Sequence, residues 1–119
     1  MEVSIQHVAL ETRKEDVDAC IAFYALLGFV EVPLPDERLV AQGRFLEGGA
    51  TQIHLLFTDD PVIPPAGHHA IVADDYAGTL AKLRDAGFAP EDREQYWGSP
   101  RAKLTDPAGH LVELMEFPP

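Results

Sequence analysis

Residues 7–10 read His-Val-Ala-Leu, and residues 68–71 read His-His-Ala-Ile. Each opens a short apolar alternation. From Val3 to Leu10 the pattern is that of a strand, with Ile5, His7 and Ala9 on one face and Val8 and Leu10 on the other. The segments after the two copies are also alike: Leu27-Gly28-Phe29 answers to Ala86-Gly87-Phe88, and Ile53-His54-Leu55 to Val112-Glu113-Leu114. From Gly28 to His54 is 26 residues, and from Gly87 to Glu113 is again 26. The spacings from first strand to glycine, 21 from His7 to Gly28 and 19 from His68 to Gly87, differ by two, the size of a loop adjustment. The chain therefore reads as an internal duplication.

Working outward, Thr12 and Glu15 have capping-box spacing, and Val17, Cys20, Ile21, Tyr24 and Leu27 recur at helical spacing up to Gly28, a natural helix stop. Strands are expected at Phe29–Val32, Leu39–Leu46 and Thr51–Phe57, punctuated by Pro33, Pro35, Gly48 and Gly49. Residues 58–66, with Asp-Asp-Pro and Pro-Pro, read as a connection. The order then repeats: a strand at His68–Ala73, a helix at Tyr76–Ala86 closed by Gly87, and strands near Phe88–Asp92, Ala102–Thr105 and Leu111–Phe117. The turn Asp106-Pro107-Ala108-Gly109 precedes the last strand. The expected class is α+β, one domain over 1–119 built of two βαβββ modules, about 1–60 and 67–119.

The repeat puts a metal-ligand type of side chain at four equivalent places: His7, His54, His68 and Glu113. All four are expected inside their strands. Glu113 shares its face with Leu111, Met115 and Phe117, where an ionised carboxylate is costly without a compensating cation. A metal ion is one such cation. On that reading Glu113→Gln weakens metal binding and leaves the metal-free protein at least as stable. His69 lies on the opposite face from His68 and packs or titrates there, and His110 is expected at the surface. Imidazole and carboxylate together suit Zn, Ni, Co, Fe or Mn.

Composition bounds the rest. The 119 residues suffice for one core. A formal net charge of -11 and few basic residues argue against a nucleic-acid partner. No apolar run approaches the ~20 residues of a membrane span, no export signal is evident, and the single cysteine, Cys20, cannot pair within the chain. A cytoplasmic protein is expected.

His7-Val8-Ala9-Leu10, Phe23-Tyr24 through Phe29, His68 through Asp75, and Asp106-Pro107-Ala108-Gly109-His110-Leu111-Val112-Glu113-Leu114 resemble, in order, the motifs of the glyoxalase, bleomycin-resistance and extradiol-dioxygenase superfamily, the vicinal oxygen chelate proteins. The resemblance covers nearly the whole chain. It implies tandem modules whose mixed sheets curl around a cavity, a homodimer, and a divalent metal held at His7, His54, His68 and Glu113. It also implies Lewis-acid chemistry on a small molecule that chelates the metal through neighbouring oxygens. A lyase or isomerase of glyoxalase type is the first expectation. Bacterial glyoxalase I carries Glu at the second ligand position, where this chain has His54. A ring-cleaving dioxygenase and a non-catalytic, antibiotic-sequestering protein of the bleomycin-resistance type are the alternatives. For an enzyme, Glu113 and His54 are the candidates for proton transfer, and Arg44 and Arg101 for binding an anionic substrate. Phe45, Trp97 and Tyr96 are candidate walls of the substrate site.

Overall fold

The computed structural model describes residues 2–117; positions 1, 118 and 119, at the outer limits of the two expected modules, lie outside the described residues. The chain divides into two compact units, 1–63 and 64–119.

The first unit contains β1 (His7–Thr12), α1 (Val17–Leu26), β2 (Val30–Val32), β3 (Gly43–Gly48) and β4 (Thr51–Phe57), with the four strands in the order β1-β4-β3-β2. The outer pair β1 and β4 is parallel, and the other pairs are antiparallel. Alternation does what it should: Leu10, Leu46, Ile53 and Leu55 are buried on one face of this sheet. α1 packs against β2 and β3. It buries Cys20, Phe23 and Tyr24, the last two in edge-to-face contact at 5.0 Å between ring centroids.

The second unit repeats the plan with β5 (His68–Val72), α2 (Tyr76–Asp85), β6 (Glu91–Arg93), β7 (Arg101–Thr105) and β8 (Leu111–Met115), ordered β5-β8-β7-β6. Its outer pair, β5 with β8, is again parallel. Leu83, Ala102, Leu104, Val112 and Leu114 form its core. Gly28 and Gly87 hold φ of 95° and 93° directly after the two helices, a conformation open to glycine, so the repeated glycine is a repeated helix stop.

Four local readings are corrected. Thr12 belongs to β1, where its hydroxyl donates to the Leu10 carbonyl, and α1 is reached through a 3-10 turn at Lys14–Asp16 with no side-chain cap at Asp16. Residues 39–42, expected in a strand, belong to a 3-10 stretch over Glu37–Gln42, because Asp36 accepts from the Arg38 backbone N–H and starts a turn. His7 and His68 are the first residues of β1 and β5 and so stand at strand ends. His110 is buried, because Asp106 accepts from the Ala108 and His110 backbone N–H groups and folds the turn inward.

Candidate functional site

In the first unit the parallel register sets Gln52 beside His7 and His54 beside Ala9. His7 and His54 therefore lie on one face of the sheet, one diagonal step apart, opposite the face carrying Leu10, Ile53 and Leu55. The second unit has the same relation: Leu111 is beside His68 and Glu113 beside Ala70. The four side chains singled out by the repeat are thus two pairs, each on the outer parallel strands of its own sheet.

His7 presents Nδ1–H to Gln6 Oε1 at 2.6 Å, and Gln6 Nε2 donates in turn to Gln52 Oε1 at 3.2 Å. A carbonyl oxygen only accepts, so Nδ1 carries the proton and the Nε2 lone pair is left for a ligand. Such an outer hydrogen bond is the usual way a metal-binding imidazole is oriented. His54 is turned the other way: Nε2 donates to the Gln42 carbonyl at 3.2 Å, and the ring stacks on Phe45 at 4.2 Å with an interplanar angle of 14°. Burial lowers the His54 pKa, the Gln42 hydrogen bond opposes this, and the neighbouring His7 lowers it further. The net shift is downward, which keeps the ring neutral and its Nδ1 lone pair available near pH 7.

His68 donates Nδ1–H to the Ala66 carbonyl at 3.0 Å, while its Nε2 lies 3.0 Å from Glu113 Oε2. The carboxylate oxygen only accepts, so it is as a donor that Nε2 can hydrogen-bond to it. Arg101 Nη1 donates to Glu113 Oε1 at 2.7 Å. The Glu113 side chain is 7% exposed and that of Arg101 13%. Burial alone would raise the Glu113 pKa, but the hydrogen bond and charge of Arg101, with those of His68, outweigh it and hold the carboxyl below its ordinary value. Arg101 is itself held by the Glu94 carbonyl and by the Tyr96 ring, 4.9 Å from the guanidinium carbon. Tyr96 meets Trp97 edge-to-face.

Glu113 therefore has a compensating cation that the strand pattern did not point to, which corrects the premise that its carboxylate is uncompensated without a metal. Of the other expected site residues, Phe45 adjoins His54, and Arg101, Tyr96 and Trp97 form one group with Glu113. Arg44 is apart: it lies on the opposite face of β3 from Phe45, donating to the Gly43 carbonyl and lying 5.5 Å from the Phe57 ring. His69 pairs in register with Val112 on the face opposite His68, and its pKa is lowered chiefly by burial. Gln6 and Gln52 were not anticipated, although a parallel pairing of the first and fourth strands would have placed Gln52 beside His7.

Among the described residues, no three His, Cys, Asp or Glu side chains gather as a metal site. The donor chemistry of the two pairs still suits a divalent cation. His7 has an anchored Nδ1–H and an unheld Nε2, and His68 Nε2 faces a carboxylate oxygen at 3.0 Å, a nitrogen and oxygen donor pair that suits a metal ion.

No curated protein matches the sequence. Among solved structures, a protein described as a glyoxalase family member from Bacillus anthracis matches with a TM-score of 0.85 at 22% identity, covering 97% of this chain and 95% of that one. The oxidase ChaP-H2 matches at 0.76 and 18% identity over 99% and 96%. Lactoylglutathione lyase from Agrobacterium tumefaciens matches at 0.70 and 25% identity over 96% and 93%. With a family model matching residues 4–114, nearly its whole length, the chain belongs to the Glyoxalase/Bleomycin resistance protein/Dioxygenase superfamily.

Proposed function

We propose that this protein is a metal-dependent enzyme, of lyase or isomerase type, acting on a small oxygen-rich molecule bound through neighbouring oxygens. The observation that carries the proposal is the repeated diagonal pair, His7 with His54 and His68 with Glu113, in the same register on equivalent parallel strands. Lactoylglutathione lyase among the structural relatives supports the reaction class.

In this reading His7, His68 and Glu113 hold the divalent metal, as Zn, Ni, Co, Fe or Mn, with His54 as an optional fourth ligand. When bound, the metal supplies Lewis-acid stabilisation of an anion developing on the substrate oxygens. Glu113 is a weak base, since both its oxygens are engaged and its pKa is lowered. His54, neutral and with a free Nδ1 lone pair, is the better proton acceptor. Phe45 limits the movement of the His54 ring. Tyr96 and Trp97, 69% and 51% exposed, offer aromatic surface to an organic ligand beside Arg101. The active assembly is a homodimer.

Elemental analysis of untagged protein purified without chelator tests this. Near one equivalent of a divalent metal per chain is the expected result, and His54→Gln should then keep the metal while losing most turnover. Metal far below one per chain, unrestored by added ions, would overturn the reading. A second reading, sequestration of a small molecule without turnover, is favoured by the Arg101–Glu113 ion pair, which satisfies the carboxylate without metal. It predicts that metal-free protein binds its ligand as tightly as protein supplied with metal.

A further inference from the structure

The two donor pairs differ at one register position. In β7, Arg101 pairs with Met115, two residues beyond Glu113. In β3 the equivalent residue is Gly43, paired with Leu56, two residues beyond His54. A Cβ at Gly43 would run into the Leu55 carbonyl oxygen and come to 3.0 Å from His54 Nε2. The first unit thus has no room for a side chain where the second places a guanidinium. That guanidinium is fixed on three sides, by Glu113 Oε1, the Glu94 carbonyl and the face of Tyr96.

We infer that Arg101 is a resident cation on the Glu113 carboxylate, which a divalent metal must displace or share, so that Arg101 sets how tightly the site holds metal. The inference rests on the metal reading above. Two cations drawn to one largely buried carboxylate repel each other, and every interaction that stabilises the Arg101-paired form is lost, in part, when metal enters. The role is distinct from neutralising a substrate anion: with its guanidinium already committed to Glu113, Arg101 is a weak partner for a second carboxylate.

The test is calorimetric titration of metal-stripped protein with Zn and Co, alongside the shift in melting temperature each metal produces. Arg101→Gln keeps a polar side chain and removes the charge; it should bind metal about tenfold more tightly than wild type, a change of about 1.4 kcal/mol. It should also melt lower than wild type without metal and gain more from adding it. Arg101→Lys, which keeps a cation, should stay close to wild type. Should Arg101→Gln not fold, Tyr96→Ala loosens the guanidinium without changing any charge and should tighten metal binding about threefold, as expected for a contact worth ~0.5–1 kcal/mol. If wild type binds metal and neither variant binds it more tightly, the competition is overturned while the metal reading stands. If wild type and variants alike show neither heat nor a melting shift, both fail together.

Discussion

Both oxygens of the Glu113 carboxylate are engaged, one by Arg101 and one by His68, and this decides what single substitutions do. Glu113→Gln leaves the Arg101 guanidinium largely buried without its counter-charge, so the metal-free variant should be less stable than wild type by about 2 kcal/mol, read from urea unfolding. Equal stability would mean that the ion pair contributes nothing net. The same residue shapes the acid limb of stability. Its folded pKa is depressed below the ordinary 4.5, so the stabilisation is fully present above that value and is lost as pH falls through the lower, folded one. As pH falls below 4.5, wild type should therefore lose stability more steeply than Glu113→Gln. The apolar strand face around Glu113 made its need for a cation legible in the sequence. Which cation was not, because Arg101 reaches it across a strand pairing whose register the repeat spacing does not specify.

At the scale of elements, the two helices start differently although the modules repeat. Asp75 accepts from the Gly78 backbone N–H at 3.1 Å and caps α2, whereas α1 begins from a 3-10 turn without a side-chain cap. Asp75→Ala should cost about 1 kcal/mol of stability, while Glu15→Ala, removed from the capping box that the spacing suggested, should be nearly neutral. Chemical unfolding of both variants separates the two. Strands β4, β5, β7 and β8 were legible to within a residue or two because apolar alternation marks them. β3 was not: Leu39-Val40-Ala41 imitates a strand, but the turn begun at Asp36 and the close approach of Gly43 to the Leu55 carbonyl delay the strand to Gly43. Gly43→Ala should cost roughly 2 kcal/mol or more and disturb His54, since the new methyl group has nowhere to go.

For the molecule as a whole, the sequence repeat is realised as two sheets of the same strand order, each with its first strand at an edge. Edge strands present backbone N–H and C=O groups that another chain can pair with, and isolated proteins usually blunt them with charge. Here β6, Glu91-Asp92-Arg93, is charged throughout, but β-branched apolar residues stand exposed on or beside the other three edge strands. Val30 on β2 is 66% exposed and Val72 on β5 is 45% exposed, and Ile5, just before β1, is 65% exposed. Burying these in a symmetric contact between two copies removes apolar surface and pairs the edges together. The opposing force is the net charge of -11 on each chain, which repels a second copy and is screened by salt. Light scattering should therefore give twice the 13.1 kDa chain mass at micromolar concentration, with the dimer tightening as salt rises from low to physiological strength. Val72→Lys and Val30→Lys place a charge on one edge each, and the one that lies in the interface should shift the mass toward the monomer. A wild-type monomer at every salt concentration would remove the dimer from the proposed function.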